Sequence, residues 1–415
     1  MPRVLIIGRG PLPSPALRHV GFAQLRTRHF AQALSSAGCD VDLLTIEDDL
    51  APGLLDEARR RASQADAVVS AGPHRPGALA VAAAGDRPLW VDVPGDPLAE
   101  LQALLRAPGP PISAERVAAA QAATHAVLAR ADALSVISNR QRLATFGRLS
   151  AMGRDLLEPV RCATIPIAWD LPLPRRPTRA LPAEGPVRLA LCGAFAPWLN
   201  DETLSAALSL AFAQEPRLEL HVTGGAVHGH YTAGWERFTR WAARHPERVH
   251  LHGWVPHADL EQILGDCHLG LSLDRPGAEP QLGGRTRVWL YAWMGLQVAA
   301  SPTCEQVSEM VNNGLVHSIF GDPNQVSEQL LRVVRQRPSV PDAHPIVAPR
   351  YSPEAITAPL VQWALSPIRA APGPGVEALL AAQVETLQAQ LSAVHHSPTW
   401  RILSRLHRLA GGSSS

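Results

Sequence analysis

The sequence predicts an α/β protein with two doubly wound domains that face a cleft, followed by a helical tail. Short apolar runs of strand length alternate with helical segments throughout residues 3–366, as they do when helices cover a parallel sheet. A Pro- and Arg-rich segment at residues 171–186 interrupts this alternation near its middle. Polar residues and glycines follow most of the strands, where parallel sheets bind their ligands.

Charge and composition exclude several classes of function. The chain has 415 residues, enough for two or three domains, and its formal net charge of +1 gives no reason to expect a nucleic-acid partner. All 38 basic residues are arginine. Without lysine, the protein has no Schiff-base chemistry, no Walker-type phosphate lysine and no lysine general base. Any bound phosphate must therefore contact arginine or backbone N–H groups.

The cysteines and the N-terminus fit a protein of the cytoplasm. The five cysteines, at positions 39, 162, 192, 267 and 304, show no paired spacing, so neither a disulfide framework nor a metal site is expected. Met1 leads directly into an apolar strand without a signal sequence, and no apolar run approaches the roughly 20 residues of a membrane span. We expect a cytoplasmic protein that contacts at most the surface of the inner membrane.

Residues 1–172 form the first predicted domain. Its predicted strands cover residues 3–7, 41–45, 67–70, 89–91 and 133–137, and its helices cover residues 22–34, 52–64, 76–84 and 114–130. Gly8-Arg-Gly10 is only part of a dinucleotide fingerprint, and a Pro-rich loop separates it from the first helix. We therefore do not expect a nicotinamide cofactor.

Polar side chains in this domain lie in the loops after its strands and are candidates for contacts in the cleft. The candidates are His19, His74, Asp92, Asp96 and Arg140. The carboxyl ends of parallel strands meet at one edge of the sheet, which would bring these residues near a ligand. A helix cap, a turn or a solvated histidine is the alternative for each of them.

Residues 173–187 are predicted to link the first domain to a second one, at residues 188–350. Because this segment is rich in proline, it continues neither a helix nor a central strand. The second domain has predicted strands at 187–191, 218–222, 249–251, 269–273, 296–300 and 315–319, and predicted helices at 202–213, 233–243, 258–264, 288–294 and 324–335. Two domains of similar size joined in this way form a cleft, which is where ligands prefer to bind.

The stretch from Leu269 to Ala300 predicts an anion site. A strand is followed by a polar loop, then by Gly283-Gly-Arg-Thr-Arg287 at the start of a helix. Backbone N–H groups at a helix start and the guanidinium groups of Arg285 and Arg287 can converge on phosphate-like oxygens. The alternative is an ordinary strand–helix unit whose arginines are solvated.

The C-terminal part of the sequence predicts a terminal helix at 351–368 and a helical, amphipathic tail at 376–410. Apolar residues between 380 and 394 recur at the intervals of a coiled coil, which fits either a homodimer or a helix packed on its own domain. In residues 397–410, one tryptophan and several leucines alternate with arginines. This pattern predicts peripheral contact with an anionic bilayer, with a packed tail as the alternative.

The order of these segments resembles the glycosyltransferases of the two-Rossmann (GT-B) architecture, and most closely the retaining family 4 of bacterial polysaccharide enzymes. The resemblance covers residues 3–366 and is strongest in the second domain. It is carried by Gly193 to Thr203, Thr223-Gly-Gly225, the block from Val249 to Pro256, Asp274 to Arg287, Met294-Gly-Leu, Ser138-Asn-Arg-Gln141, Ile165-Pro-Ile and the Ser397-Pro-Thr-Trp-Arg tail.

The resemblance implies the transfer of a sugar from a nucleotide-sugar donor to a glycan or lipid-linked acceptor, without a tightly bound cofactor or metal. The donor could be a UDP-, GDP- or dTDP-sugar. The second domain would bind it through Gly193, Asp201, Thr223, Gly224, Gly225, Gly283 and Gly284. Arg285 and Arg287 would stabilise the departing diphosphate, and Glu279 would accept a hydrogen bond from a donor hydroxyl. The first domain would hold the acceptor. A helix cap is the alternative for Asp201.

The sequence departs from this family at a pair of functional positions. The family usually carries a pair of glutamates here, of which the second binds the ribose; the corresponding positions are Leu282 and Leu290. Two other functions therefore remain open. One is a catalytically inactive scaffold in a glycan-assembly complex, and the other is a nucleotide-sugar epimerase, which needs carboxylates of the two domains to face each other.

Overall fold

The computed structural model describes residues 1–14, 21–47, 53–109, 112–154, 162–227, 231–370 and 397. Met1–Ala144 and Val160–Ala370 form one compact unit, and Thr145–Pro159 with Ala371–Ser415 form another. Both sheets and the candidate site belong to the first unit. The predicted tail at 376–410 lies outside the described residues, except for Ser397.

The first sheet has six parallel strands in the order β2-β1-β3-β4-β5-β6. The strands are β1 (Arg3–Arg9), β2 (Asp40–Ile46), β3 (Ala67–Ala71), β4 (Leu89–Val93), β5 (Ala133–Val136) and β6 (Cys162–Thr164). The helices between them are α1 (Phe22–Ser36), α2 (Leu54–Ser63), α3 (His74–Ala84), α4 (Pro97–Arg106), α5 (Ala114–Arg130) and α6 (Asn139–Ala151). The central strands are buried along their whole length, which explains their continuous apolar runs.

The second sheet also has six parallel strands, in the order β12-β11-β10-β7-β8-β9. Its strands are β7 (Val187–Ala194), β8 (Leu218–Gly225), β9 (Val249–Gly253), β10 (Leu269–Ser272), β11 (Gln297–Ala300) and β12 (His317–Ser318). Its helices are α7 (Asp201–Gln214), α8 (Ala233–Ala242), α9 (His257–Asp266), α10 (Ala278–Leu282), α11 (Thr286–Trp293), α12 (Glu305–Asn312), α13 (Pro323–Gln336) and α14 (His344–Tyr351).

Helix α15 (Pro353–Leu365) follows the second sheet in sequence but packs on the first. It lies against α1, and the Trp363 ring lies 5.5 Å from the ring of Trp90, which is fully buried in β4. We call each sheet with its helices a lobe, the first lobe for the first sheet and the second lobe for the second. The segment between the sheets is held by the second lobe, because the Trp293 indole donates to the Leu173 carbonyl and the Arg176 amide donates to the Trp293 carbonyl. The chain thus crosses between the lobes twice.

The predicted fold class, two doubly wound parallel sheets with their helices, is confirmed. Strand β6 and helices α4, α10, α12 and α14 were not predicted from the sequence. Helix α4 begins at Pro97 behind Asp96, whose carboxylate accepts the amides of Leu98 and Ala99. Asp96 is therefore a helix cap, the alternative that was open for it. No helix in the described part of the chain is long and apolar enough to cross a membrane.

A buried ion pair ties α1 to the first sheet. Arg26 is 2% exposed and Asp92 is fully buried. Their side chains form two parallel hydrogen bonds, of 2.8 Å and 2.7 Å. The Ser135 hydroxyl donates to the same carboxylate at 2.6 Å, and Arg26 also donates to the Pro166 carbonyl. Asp92 therefore stabilises the core of the first lobe. It does not line the cavity between the two sheets that is described below.

We expect Asp92→Ala to lower the free energy of unfolding by about 3–5 kcal/mol, because it leaves the Arg26 guanidinium buried without a counter-charge. Urea denaturation followed by circular dichroism measures this change. Asp56→Ala is the matched control: that side chain is 84% exposed. It should cost at most about 1 kcal/mol. Equal unfolding midpoints for the two variants would show that the buried pair does not support the fold.

Candidate functional site

A cavity of about 420 Å³ lies between the two sheets, at the carboxyl ends of their strands. The first lobe contributes Phe22, Leu25, Gly95, Glu100 and Ile137 to its walls. The second lobe contributes the ends of β7 and β8, the loop after β9, and the segment from Asp274 to Leu290. The predicted cleft therefore contains a cavity of the size that binds a small molecule.

At the ends of β7 and β8, glycine residues expose main-chain atoms to the cavity. Gly193 has φ 92° and Gly224 has φ 95°, both in the left-handed region that favours glycine. A Cβ on Gly224 would lie within 2.4 Å of the Gly193 carbonyl oxygen, so the two strands approach too closely for any side chain. Thr223 lines the cavity beside them. A ligand can therefore lie directly on the main chain here.

Arg285 is the centre of a buried ion-pair cluster with Asp274 and Glu279. Its guanidinium donates to Asp274 at 2.7 Å and to both oxygens of Glu279, at 3.1 Å and 2.7 Å. Arg285 is 5% exposed, and both carboxylates are also buried. The Thr303 hydroxyl donates to the second oxygen of Asp274. This acid–arginine cluster has one arginine for two acids, so it carries no positive charge to offer to a phosphate.

The charges in this cluster follow from its burial. Burial on its own lowers the pKa of the Arg285 guanidinium, but the charges of Asp274 and Glu279 outweigh it, so this pKa is raised and Arg285 stays protonated. Burial raises the pKa of Glu279. The charge and hydrogen bonds of Arg285 oppose this rise only in part, and the negative charges of Glu100 and Asp274 add to it. Gly283 leaves room for the cluster, since a Cβ there would lie 2.5 Å from a Glu279 oxygen.

Arg287, in contrast, has no carboxylate partner within the described ranges. It is the second residue of α11, and the first turn of this helix contains no acidic side chain. Its Nη2 donates to the Ala194 carbonyl at 2.8 Å, and its Nη1 is buried without a hydrogen-bond partner among the described residues. Arg287 lines the cavity. It supplies uncompensated positive charge at a helix N-terminus, where anions are favoured.

Another part of the cavity wall is apolar and aromatic. Leu260, Leu290 and Trp254 line it, and the Trp254 indole donates to the Ala226 carbonyl at 2.9 Å. His257 also lines the cavity, and its Nδ1 is buried with no hydrogen-bond partner in the described part of the chain. Burial lowers the pKa of His257, so its ring is neutral at pH 7. Leu290 stands where the resemblance would place a ribose-binding glutamate, and it lines the cavity without a charge.

Several candidate residues lie away from the cavity. Asp201 forms ion pairs with Arg237 at 2.9 Å and Arg275 at 3.1 Å, while Asn200 caps α7 in its place. Gly225 lies against the ring of Trp235. His74 is exposed, and its Nε2 lies 3.6 Å from Oε2 of Glu100, which lines the cavity. Interaction with the Glu100 carboxylate raises the pKa of the His74 imidazole. His19 lies outside the described residues.

Hydrogen bonds outside the cavity connect the two lobes. Glu305 of the second lobe accepts hydrogen bonds from the backbone amides of Asn139 and Arg140, at 3.2 Å and 3.0 Å, at the start of α6. A carboxylate at a helix N-terminus is favourable. The Arg140 side chain donates to the Thr303 carbonyl and to Gln281 across the same boundary. Arg140 therefore joins the two lobes rather than lining the cavity.

Eight of the residues predicted from the sequence line the cavity, all of them from the second lobe and none from the first. Gly193, Thr223, Gly224, Glu279, Gly283, Gly284, Arg285 and Arg287 all line the cavity. Phe22, Glu100 and His257 also line it and were overlooked. Glu100 lies one turn into α4, the helix that was not predicted, and His257 directly follows a block already identified by resemblance.

We expect Gly284→Ala to weaken the contact between the lobes, because its Cβ would lie 2.7 Å and 2.9 Å from the side chains of Ile137 and Ile167. Overpacking of this kind costs about 1–3 kcal/mol. Urea denaturation measures the loss. Gly109→Ala is the control, since its Cβ would meet nothing closer than 4.0 Å. If Gly284→Ala unfolds at the same urea concentration as the control, the two lobes do not pack through this residue.

Comparison with solved structures supports this architecture. Anabaena HepE, determined in complex with UDP-glucose, aligns with a TM-score of 0.62 and 15% identity over 89% of this chain and 100% of that chain. The UDP-forming α,α-trehalose-phosphate synthase of Burkholderia xenovorans aligns with a TM-score of 0.59 and 9% identity, over 88% and 100% of the two chains. Sucrose-phosphate synthase of Thermosynechococcus elongatus aligns with a TM-score of 0.54 and 16% identity, over 95% and 100%.

No protein-family model matches the sequence, and no curated protein sequence matches it significantly. At these low identities, the structural likeness concerns the fold. The expectation of a GT-B architecture is confirmed, while membership of family 4 stays a prediction. The chain shares its fold with the GT-B glycosyltransferases.

Proposed function

We propose that this protein is a glycosyltransferase that moves a sugar from a nucleotide-sugar donor to a glycan or lipid-linked acceptor. The observation that carries the proposal is the uncompensated guanidinium of Arg287, which lies beside the bare backbone of Gly193 in a cavity between two parallel sheets. A nucleoside diphosphate requires such a combination of positive charge and close backbone approach. Neighbours with this fold include one determined with UDP-glucose.

In this proposal the donor diphosphate binds at the start of α11. Arg287 and the backbone amides that precede the helix stabilise the negative charge that develops on the departing phosphates. Arg285 has a different role from the one that the sequence suggested. Because its guanidinium is neutralised by Asp274 and Glu279, it positions the Glu279 carboxylate instead of binding phosphate. Glu279 lines the cavity and accepts a hydrogen bond from a hydroxyl of the donor sugar.

The first lobe faces the sugar and the acceptor. Glu100 and the backbone at Pro94–Gly95 line its side of the cavity, and closure of the two lobes excludes water from the reacting atoms. A retaining transfer needs no separate general base, since the departing phosphate can take the proton from the acceptor hydroxyl. We propose a retaining reaction that builds a bacterial envelope polysaccharide or glycoconjugate, in keeping with the resemblance to family 4.

One alternative function is favoured by a specific observation. Leu290 occupies the position of the family's ribose-binding acid, which fits a scaffold that has lost its donor. The epimerase alternative has less support. It needs opposed carboxylates that can act as bases. Asp274 and Glu279, the second lobe's acids in the cavity wall, are both neutralised by Arg285, which leaves them able to accept hydrogen bonds but makes them poor bases.

We expect UDP, GDP or dTDP to raise the thermal stability of the protein, and Arg287→Met to remove most of this effect. A ligand at a hundredfold excess over Kd contributes about 2.7 kcal/mol of stability. Loss of a charge-assisted hydrogen bond costs about 1.5–3 kcal/mol, which weakens binding by roughly ten- to a hundredfold. Differential scanning fluorimetry with each nucleotide and its sugar conjugates gives the shift in Tm, and release of nucleoside diphosphate reports turnover.

Arg240→Met is the matched control, because this arginine is exposed on α8 and lies outside the cavity lining. It should bind nucleotides as the unchanged protein does. The absence of a shift with every nucleotide would exclude donor binding and favour the scaffold. If Arg287→Met still binds with unchanged affinity, the diphosphate does not lie at α11. Binding without any release of nucleoside diphosphate would again favour a scaffold.

We also propose that the sequence at 397–410 contacts an anionic membrane surface, which would bring the cleft to a lipid-linked acceptor. Its arginines and its tryptophan support this contact. The full chain should co-sediment with vesicles that contain anionic lipid, and it should lose this binding in high salt because surface charges are then screened. A chain ending at residue 375 should remain in the supernatant. Equal sedimentation of the two chains would contradict the proposal.

A further inference from the structure

Four ionisable side chains cluster on β8 and β9, outside the cavity. Alternate residues of a strand share one face of the sheet, so Glu219 and His221 project together from β8, and His250 and His252 project together from β9. The two strands are parallel, and their register places His221 directly beside His250. The intervening residues Leu218, Leu220 and Val222 face the core instead.

The distances within this histidine cluster are close to those of a metal site. One ligand atom from each of Glu219, His221 and His250 lies within 4.8 Å of the others. The Nε2 atom of His221 lies 3.9 Å from Glu219 Oε2, and the rings of His221 and His250 lie 4.7 Å apart. Ligands at tetrahedral Zn²⁺ lie about 2.1 Å from the metal and hence about 3.4 Å from one another. Small side-chain rotations therefore suffice to bring these atoms onto one ion.

The hydrogen bonds around the cluster orient its ligands. His221 Nδ1 lies 3.1 Å from His252 Nε2, and the planes of the two rings are nearly parallel, at an interplanar angle of 10°. When Nδ1 donates this hydrogen bond, the lone pair of His221 is on Nε2. That Nε2 is buried and has no hydrogen-bond partner among the described residues. Arg188 in turn donates to Glu219 at 3.2 Å. Metal-binding histidines and carboxylates characteristically have such supporting hydrogen bonds.

We propose that Glu219, His221 and His250 bind a divalent transition-metal ion of the zinc type, with His252 as a positioning residue that orients the ring of His221. Two imidazole nitrogens and one carboxylate oxygen suit Zn²⁺, and water completes the coordination. None of the four side chains lines the cavity. The metal therefore has a structural role and takes no part in sugar transfer.

The location of the cluster indicates what the ion stabilises. Among the described residues, β9 is the edge strand of the second sheet and pairs with β8 alone. The ladder between them is irregular, since the register shifts between Val222 and Thr223 and skips His252 of β9. Thr223 and Gly224 at the end of β8, and Trp254 directly after β9, line the cavity. A metal ion bound here would hold the edge strand β9 against β8, close to the point where both strands reach the cavity.

Metal binding to the full chain, purified without a polyhistidine tag and stripped with a chelator, tests this proposal. Titration with ZnCl₂ by isothermal calorimetry should give one tight site per chain. Cobalt(II) in its place should give the strong visible absorption of a tetrahedral site. We expect His221→Gln and His250→Gln to abolish tight binding, and His252→Gln to weaken it by about ten- to a hundredfold, as the loss of a supporting hydrogen bond does.

His125→Gln is the matched control, because His125 is exposed on α5 of the other lobe. It should bind Zn²⁺ as the unchanged protein does. The proposal is overturned if the unchanged protein binds no Zn²⁺, or if His221→Gln and His250→Gln bind it with unchanged affinity. Should either histidine variant fail to fold, Glu219→Gln gives the same test at a side chain that is 30% exposed. Unchanged binding by that variant would likewise contradict the assigned ligand set.

Discussion

The pairing of Arg285 with two carboxylates determines what the cleft can bind. A buried guanidinium must be neutralised, since leaving it unpaired in the protein interior costs several kcal/mol. Asp274 and Glu279 meet this requirement for Arg285, and the resulting cluster has no positive charge left over. Arg287 lies two residues further on, yet its contacts are to the backbone alone within the described ranges. The anion-binding capacity of this segment is therefore concentrated in one arginine.

The same cluster explains why the loop before α11 contains two consecutive glycines. Gly283 packs against Glu279, and Gly284 packs against Ile137 and Ile167 of the other lobe. One glycine thus makes room for the ion pairs, and the next makes room for the opposing lobe. The loop that offers its backbone to the cavity is held from both sides, which gives it the fixed geometry that electrostatic stabilisation of a leaving group needs.

The sequence was sufficient for the fold because the alternation of strands and helices is a local signal that extends over the whole chain. It also indicated the cavity's second wall, since glycines and arginines after strands have few other uses. It could not distinguish Arg285 from Arg287. The partners of Arg285 lie 11 and 6 residues away, beyond any helical spacing, and only the folded loop brings them together. The pairing of Asp92 with Arg26 could not be predicted for the same reason, because the two residues are 66 positions apart.

The missing acid at position 290 and the free charge of Arg287 are physically connected. The two residues are three positions apart on α11, so their side chains lie on neighbouring parts of one helical face. An acid at 290, which the resemblance would assign to the ribose, would also be within reach of Arg287 and would compete with a phosphate for it. Leu290 removes that competition and extends the apolar wall beside Leu260. If the cavity binds a nucleotide sugar as proposed, the diphosphate would be the main group that it recognises. The backbone of Gly193 and Gly224 and the neutral ring of His257 are polar groups that would remain for the rest of the nucleotide.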